Sequence, residues 1–255
     1  MQEGSRFYEM LAPVYDGLNA DADYQIIQRF VASAAERCFA DRKIRSVLDA
    51  GCGTGSLTVL LAEAYPDVTG ADASESMLCM AQNKAFSAGR NIFFVHQELT
   101  GLELGREFDL AVCTMDTLNH LPAAGDVRAA LKKIAAHLSP GGLFVFDLNT
   151  PYKHEKVLGN ETIVKESDEA FCVWENEYNP ADGSVRMEIN LFCGDEERGY
   201  DRETACQTEL LIGPDELSQA LSEAGLSLFL VNDGYTQKPV GAQTQRFSCA
   251  ARKQS

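Results

Sequence analysis

The stretch from Val47 to Gly55 constrains the fold more than any other part of the chain. Its sequence is Val-Leu-Asp-Ala-Gly-Cys-Gly-Thr-Gly, so an apolar run ends in an acid and a glycine-rich turn follows, before a helix-like segment at 56–63. A strand that feeds such a turn lets a ligand approach the backbone closely. A second acid, Asp72, ends the next apolar run, where it can reach the two hydroxyls of a ribose. The two features together predict a nucleoside-bearing cofactor.

The spacing of the glycines separates two classes of cofactor. The fingerprint of nicotinamide dinucleotide sites is Gly-x-Gly-x-x-Gly, which would place a glycine where this chain has Ser56. A pyrophosphate also needs a helix N-terminus pointed at it. Asp49, directly before the turn, suits a cationic ligand better than a phosphate. A nicotinamide-dependent oxidoreductase is therefore the weakest hypothesis.

Three motifs occur in an order that resembles a known family. They are the stretch 47–55, Gly-Ala-Asp-Ala-Ser at 70–74 and Leu-Ser-Pro-Gly-Gly at 138–142. Together they resemble the class I S-adenosylmethionine-dependent methyltransferases, of the small-molecule type with a β-sheet insertion. The resemblance covers nearly the whole chain and is weakest across the insertion. It implies S-adenosyl-L-methionine as the cofactor and methyl transfer as the reaction.

The same resemblance implies roles for individual residues. The glycine turn would lie under the methionine part of the cofactor, and Asp72 would bind the ribose hydroxyls. Met77 would pack on the adenine, and Glu98 would accept a hydrogen bond from its amino group. The ring of Tyr15 would face the sulfonium, because a ring face attracts a cation, whereas for Tyr8 this role and a purely anchoring role are equal alternatives. The expected cofactor-binding residues are Tyr15, Asp49, Gly51, Gly53, Gly55, Asp72, Ala73, Met77, Gln97, Glu98, Thr114 and Met115.

Strand-like and helix-like segments alternate along most of the chain. The predicted strands lie at 46–49, 68–72, 92–95, 108–113, 143–148, 226–231 and 245–251. Helical stripes lie before or between them, including one that runs from Val127 to Leu138. The pattern predicts an α/β fold with a doubly wound, mostly parallel, seven-stranded Rossmann-like sheet.

The pattern changes in the middle of the chain, where β-rich runs replace helical stripes. Between Val185 and Phe192 apolar and polar residues alternate, which indicates a strand with one buried and one wet face. We therefore expect a small antiparallel β-sheet inserted in the α/β domain. The predicted organisation is a cofactor-binding domain at 1–152 and 208–255 and an inserted subdomain at 153–207 that forms a lid over the acceptor.

Candidate catalytic residues follow the predicted fourth and fifth strands, because open α/β sheets bind ligands at the carboxyl ends of their strands. Methyl transfer is an in-line attack with a neutral sulfide as leaving group, so positioning and desolvation do most of the work. An amine acceptor needs only to be unprotonated, whereas a hydroxyl benefits from a general base. His120 and Asp147 are the two catalytic candidates. Further polar candidates are Asp116, Asn119 and Asn149, and the expected walls of the acceptor pocket are Tyr152, Trp174 and Tyr178.

Composition limits the classes of partner. The 255 residues carry a formal net charge of −16, which disfavours broad contact with nucleic acid. The eight cysteines are scattered singly and predict reduced thiols in a cytoplasmic protein, without a metal site. Residues 1–6 lack the pattern of a secretory signal, and no apolar run is long enough to span a bilayer.

We therefore expect a monomer or homodimer that methylates a small-molecule acceptor on nitrogen or oxygen, without a membrane partner. One alternative is an RNA or protein methyltransferase. Another is a non-catalytic protein that binds S-adenosylmethionine or S-adenosylhomocysteine.

Overall fold

A computed structural model describes residues 3–39, 43–195 and 199–254, with backbone alone at 3–6 and 195. The first two residues of the stretch that lacks a signal pattern lie outside these ranges. The helices are α1 (Glu3–Leu11), α2 (Tyr15–Leu18), α3 (Tyr24–Cys38), α4 (Ser56–Ala64), α5 (Glu75–Ser87), α6 (Ala124–Ala136) and α7 (Pro214–Glu223). Short 3₁₀ turns lie at Leu99–Gly101 and Thr117–His120, and a π-helical turn lies at Lys153–Leu158.

Eleven strands in the described residues form two sheets. The strands are β1 (Ser46–Ala50), β2 (Asp67–Asp72), β3 (Phe93–His96), β4 (Phe108–Cys113), β5 (Leu138–Asn149), β6 (Thr162–Glu166), β7 (Ala170–Tyr178), β8 (Val185–Asp195), β9 (Gly199–Glu209), β10 (Leu226–Asp233) and β11 (Arg246–Lys253). The larger sheet has the order β10-β11-β5-β4-β1-β2-β3, and the smaller has the order β6-β7-β8-β9.

The larger sheet confirms the predicted Rossmann-like fold. Its strands from β3 to β5 pair in parallel, and β11 pairs antiparallel with both of its neighbours, β5 and β10. Successive side chains of the central strands point to opposite faces of the sheet, and both sets are apolar. Helices therefore cover both faces. Leu110 and Val112 pack with α3 and α4, whereas Ala111 and Phe144 face α6 and α7.

The smaller sheet confirms the predicted antiparallel insertion but differs from the expected strands. The strand β6 was not predicted, because its residues alternate between half-exposed and exposed and give a weak apolar signal. The strand β9 ends at Glu209, and the next residue leaves the sheet to donate its backbone N–H to Asn119 O at 2.7 Å. One face of this sheet packs on Phe7, Met10 and Leu11 of α1.

One predicted boundary was wrong. Leu138 begins β5 instead of ending the helical stripe, and α6 ends two residues earlier, at Ala136. Pro140 explains the change, since proline cannot continue a helix and favours an extended residue before it. No helix in the described part of the chain combines the length and apolar character needed to cross a membrane.

Candidate functional site

A cavity of about 960 Å³ opens at the carboxyl ends of β1, β2 and β4. The loops after these strands form its floor, and Tyr8 and Tyr15 of the N-terminal segment line it. The antiparallel sheet closes the far side with residues of β8 and β9, among them Arg186 and Gln207. The cavity therefore lies where an open α/β sheet binds ligands, between the two sheets.

The glycine turn between β1 and α4 shapes the floor of this cavity. All three glycines have positive φ, and a side chain on Gly51 or Gly55 would collide with the protein itself. A Cβ on Gly51 would lie 2.4 Å from Cγ2 of Thr117, and one on Gly55 would lie 2.8 Å from Cβ of Ala81. A Cβ on Gly53 would meet nothing within 4 Å. Gly53 lines the cavity, so the turn leaves its backbone open to close approach by a ligand.

Asp72 lies at the tip of β2, beside that turn. Its Oδ2 accepts a hydrogen bond from the backbone N–H of Gly53 at 2.8 Å, and its Oδ1 accepts one from Ser74 at 2.9 Å. Each carboxylate oxygen has a second lone pair, so two hydroxyl groups can still be bound. Burial raises the pKa of Asp72. A neutral donor pair such as the two ribose hydroxyls fits this carboxylate. The hydroxyl oxygen of Ser74 accepts a hydrogen bond from the backbone N–H of Met77 and caps α5.

Asp49 lies buried at the end of β1. Its Oδ2 accepts a hydrogen bond from the Thr58 hydroxyl at 2.6 Å. Burial raises the pKa of Asp49 to about 7, and the negative charge of Asp72 adds to this effect. A buried carboxylate without a cationic partner is stabilised in its charged form by a positive ligand. This acid therefore fits a sulfonium group.

Two carboxylates bind the N-terminal segment to the loops after β1 and β2, which we call the cofactor loops. Asp16 accepts a hydrogen bond from the Thr54 hydroxyl at 2.7 Å and pairs with Lys84 Nζ at 2.6 Å. Glu9 accepts from the Ser74 hydroxyl at 2.8 Å and from the backbone N–H of Ser76 at 3.2 Å. We call the contacts of Asp16 and Glu9 the N-terminal latch. Sequence reasoning missed them because each joins residues far apart in the chain.

Most of the predicted site residues lie together in the cavity wall. Those that line the cavity are Tyr15, Asp49, Gly51, Gly53, Asp72, Ala73, Met77, Glu98, Thr114, Met115 and His120. Gln97 lies outside the lining, because its side-chain amide donates a hydrogen bond to the backbone carbonyl of Glu103 and accepts one from the backbone N–H of the same residue. Gly55 lies behind the turn, against α5. The expected pocket walls Tyr152, Trp174 and Tyr178 also lie outside the lining, and Trp174 packs in the core of the antiparallel sheet.

The structure places Asp147, the second catalytic candidate, outside the cavity. Its side chain is fully buried and does not line the cavity. Its two oxygens accept hydrogen bonds from the backbone N–H groups of Met115 and Asp116, each at 2.7 Å. Arg246 donates to the same carboxylate at 2.6 Å. Both oxygens of this carboxylate therefore have partners within the protein itself.

His120 lies on the 3₁₀ turn after β4 and faces the part of the cavity beside the antiparallel sheet. The ring of Tyr8 meets it edge to face, with the ring centroids 5.7 Å apart. Oε1 of Glu209 lies 3.8 Å from Nε2 of His120. Sequence reasoning did not select Glu209, although the period-two pattern of β9 places it on the same face as buried Ala205.

Glu209 belongs to a buried polar network beneath His120. Its Oε2 accepts a hydrogen bond from Nδ2 of Asn149 at 2.6 Å and lies 3.2 Å from Nε2 of His154. Burial alone would raise the pKa of Glu209, but its interactions with His154 and His120 hold that pKa below its usual range.

Asp116, His120 and Glu209 bring three potential metal ligands within 4.8 Å of one another. Asp116 already pairs with Arg246 at 3.3 Å and with Lys153 at 3.5 Å. Burial alone would raise the pKa of Asp116, but these two cations hold it well below its usual range. The same cations oppose the approach of a metal ion, so this cluster is best described as an ion-pair network.

Comparisons with known proteins agree with this geometry. The family model described as "Methyltransferase domain" matches residues 47–142. A methyltransferase-family protein of Geobacillus sp. (strain WCH70) is 30% identical over 246 residues, which cover 96% of this chain and 99% of that protein. The crystal structure of an S-adenosylmethionine-dependent methyltransferase from Clostridium acetobutylicum ATCC 824 aligns with a TM-score of 0.86 at 30% identity. That alignment covers 97% of this chain and 99% of the other.

A more distant relative has a named acceptor. The dTDP-3-amino-3,6-dideoxy-alpha-D-glucopyranose N,N-dimethyltransferase of Streptomyces fradiae is 26% identical over 195 residues, which cover 75% of this chain and 74% of that enzyme. The sequence motifs, the Rossmann-like sheet and the full-length relatives all lead to the same assignment. The chain belongs to the S-adenosylmethionine-dependent methyltransferases, and S-adenosylmethionine is its cofactor.

Proposed function

We propose that the chain methylates a small-molecule acceptor on nitrogen or oxygen. The observation that carries this proposal is that the cofactor loops and the antiparallel sheet line one and the same cavity. Its volume of about 960 Å³ is at the upper end of ligand pockets, so it has room for a cofactor and a small acceptor. When bound, S-adenosylmethionine supplies an electrophilic methyl group on a positively charged sulfur.

Two further observations support a small acceptor. The named acceptor of the Streptomyces fradiae relative is an amino sugar joined to a nucleotide, which is a small molecule with a nucleophilic nitrogen. The net charge of −16 opposes the wide contact with phosphates that an RNA substrate needs. The eight free thiols favour a reducing, cytoplasmic environment.

The inserted subdomain, 153–207 in the predicted organisation, is proposed as the lid over the acceptor. Support comes from the end of β9, which is joined to the turn that carries His120. Nε2 of Gln207 donates to the backbone carbonyl of His120 at 2.8 Å, and Nδ2 of Asn119 donates to Leu210 O at 2.8 Å. The sheet thus contributes side chains to the cavity and also fixes the turn opposite them.

His120 is proposed to accept the proton that the acceptor loses on methylation. It is the candidate that lines the cavity, whereas Asp147 does not. Glu209 lies close enough to stabilise the resulting imidazolium. The ring of Tyr8 contacts the His120 ring edge to face.

The proposed ribose-binding role of Asp72 has a direct test. Asp72→Asn keeps the shape of the side chain but removes its charge and half of its acceptor capacity. We expect S-adenosylmethionine affinity to fall by about 1–3 kcal/mol, as for lost hydrogen bonds to a charged group. Calorimetric titration measures this change. Asp67→Asn, at the other end of β2 and paired with Arg106, is the matched control and should leave the affinity unchanged. Equal affinities of the two variants would refute the assignment.

The methyl-transfer reaction is tested with S-adenosylmethionine that carries a labelled methyl group. The purified chain is incubated with a metabolite extract, and with RNA and protein fractions from the same cells. We expect label in the metabolite fraction and its loss in Asp72→Asn. Label confined to RNA or protein would support the macromolecular alternative. Tight binding without transfer to any fraction would support a non-catalytic role.

A further inference from the structure

Two successive residues after β4 have a backbone conformation that disfavours side chains. Met115 has a φ of 57° and Asp116 a φ of 56°, and among the described non-glycine residues only these two have positive φ. In L-residues this conformation brings Cβ close to the following carbonyl oxygen. It persists where the surrounding structure enforces it, and such residues cluster at functional sites. We call Met115 and Asp116 the left-handed turn.

A single buried carboxylate binds both residues of the left-handed turn. Oδ2 of Asp147 accepts the backbone N–H of Met115, and Oδ1 accepts that of Asp116, each at 2.7 Å. Asp147 lies near the carboxyl end of β5, and its side chain has no exposed surface. A carboxylate is suited to this task because both of its oxygens accept hydrogen bonds, whereas an amide offers only one acceptor.

Two residues from the C-terminal part of the chain fix Asp147 in turn. Arg246, at the start of β11, donates from Nη1 to Asp147 Oδ1 at 2.6 Å and from Nη2 to Asp116 Oδ2 at 3.3 Å. The hydroxyl of Tyr235 also donates to Asp147 Oδ2. The guanidinium of Arg246 thus links the carboxylate of Asp147 to that of Asp116. Its positive charge offsets the cost of burying the two negative charges.

The left-handed turn is packed against the glycine turn of the cofactor site. Met115 itself lines the cavity. Thr117, the residue that follows the left-handed turn, donates its hydroxyl to Thr114 O at 2.7 Å, and its methyl group occupies the space where a Cβ of Gly51 would lie. Since this contact leaves no free space, a shift of the left-handed turn changes the shape of the cofactor half of the cavity.

We propose that Asp147, fixed by Arg246 and Tyr235, is a positioning residue that holds the left-handed turn in the shape needed for S-adenosylmethionine binding. The proposal deepens the proposed function because it concerns the same cavity. It concerns binding of the cofactor alone, so it can be tested without knowing the acceptor.

The test is a double-mutant cycle on S-adenosylmethionine affinity, measured by calorimetry without acceptor. Asp147→Asn removes one of the two acceptors for the turn, and Met115→Gly removes the steric cost of positive φ at the first of its two residues. We expect Asp147→Asn to weaken binding about tenfold in the wild-type background and about twofold in the Met115→Gly background. A destabilised fold alone would not produce this rescue by glycine, so the cycle separates positioning from stability.

Asp109→Asn is the matched control for the cycle. Asp109 lies near the other end of β4, and its Oδ2 accepts the backbone N–H of Arg45 at 2.8 Å. Its replacement should lower the melting temperature and leave the affinity for S-adenosylmethionine unchanged. If Asp147→Asn does not fold, Arg246→Lys replaces it in the cycle, because a lysine cannot bridge the two carboxylates as a guanidinium does.

Two outcomes would overturn the proposal. One is an equal loss of affinity in the wild-type and Met115→Gly backgrounds. The other is a folded Asp147→Asn variant with the affinity of the wild type. A chain that binds the cofactor with the expected rescue but methylates no small molecule would support the positioning role and contradict the proposed function, so the two failures are distinct.

Discussion

The two buried acids at the strand tips give the cavity its electrostatic character. Asp49 and Asp72 each have a pKa raised by burial, and in the part of the chain that the structure describes neither has a lysine or arginine as its hydrogen-bond partner. The pKa of Asp49, at about 7, exceeds the value of about 3.9 expected for an unfolded chain. The protonated form is therefore favoured by folding, and its contribution to stability is lost as the pH rises through about 7. A cation bound beside Asp49 favours the ionised form of the carboxyl group instead.

Affinity for S-adenosylmethionine is therefore expected to increase with pH. If the sulfonium binds beside ionised Asp49, affinity should be up to about tenfold higher at pH 8 than at pH 6. Calorimetric titrations across this range measure the change, and buffers with different ionisation enthalpies report the proton released on binding. S-adenosylhomocysteine, which lacks the positive charge on sulfur, is the matched ligand and should show a flatter profile.

Asp49→Asn is the control variant for this pH dependence. It keeps an acceptor for the Thr58 hydroxyl and removes the titrating group. The variant should bind S-adenosylmethionine more weakly at pH 8, with much less change towards pH 6. An Asp49→Asn profile as steep as that of the wild type would assign the pH dependence to another group.

At the scale of elements, the turn between β1 and α4 combines two uses of glycine. Gly53→Ala places a methyl group in open space that faces the cavity, whereas Gly55→Ala drives one into Ala81. Both changes carry the cost of positive φ, about 1 kcal/mol. Gly55→Ala adds about 1–3 kcal/mol for overpacking.

The two alanine variants should therefore separate binding from stability. We expect Gly55→Ala to lower the free energy of unfolding more than Gly53→Ala does. We expect Gly53→Ala to lose more affinity for S-adenosylmethionine relative to its loss of stability. Denaturant unfolding and calorimetry on the same preparations measure both quantities. Parallel losses in the two variants would contradict the division of roles within the turn.

The elements that the sequence predicts well are those with local signals. The apolar run and the glycines at 47–55 form a pattern of neighbouring residues, and the strand and turn that they predict occur in the structure. The strand β6 is half-exposed and carries no such signal. The position of Asp147 at the end of an apolar strand suggested contact with a ligand, but its carboxylate is bound by Arg246 of β11. Only the pairing of β11 with β5 brings that residue close.

At the scale of the whole molecule, the N-terminal helices and the antiparallel sheet form one packed body. Phe7, Leu11 and Leu18 share a hydrophobic cluster with Ile189 and Leu191 of the small sheet, apart from the two clusters that flank the large sheet. The N-terminal latch then joins this body to the cofactor loops through polar contacts, which exchange with water more readily than a packed core does.

Because polar contacts break more readily than a packed core, we expect the N-terminal latch to control the rate at which the cofactor dissociates. Lys84 Nζ contacts Asp16 at 2.6 Å and the Thr54 hydroxyl at 3.1 Å, and both charged side chains are partly exposed. Asp16→Asn weakens these contacts without disturbing the hydrophobic cluster. We expect S-adenosylmethionine to dissociate about three- to tenfold faster in stopped-flow measurements, with little change in melting temperature, because half-exposed ion pairs add little stability.

Ionic strength provides a second measurement of the same contact. Added salt screens the pair of Asp16 and Lys84 and should accelerate dissociation from the wild type but not from Asp16→Asn. The matched control is Lys132→Met, which breaks the pair with Glu223 between α6 and α7, outside the cavity lining. It should leave the dissociation rate and its salt dependence unchanged. A salt effect of the same size in Asp16→Asn and in the wild type would show that the latch does not limit release of the cofactor.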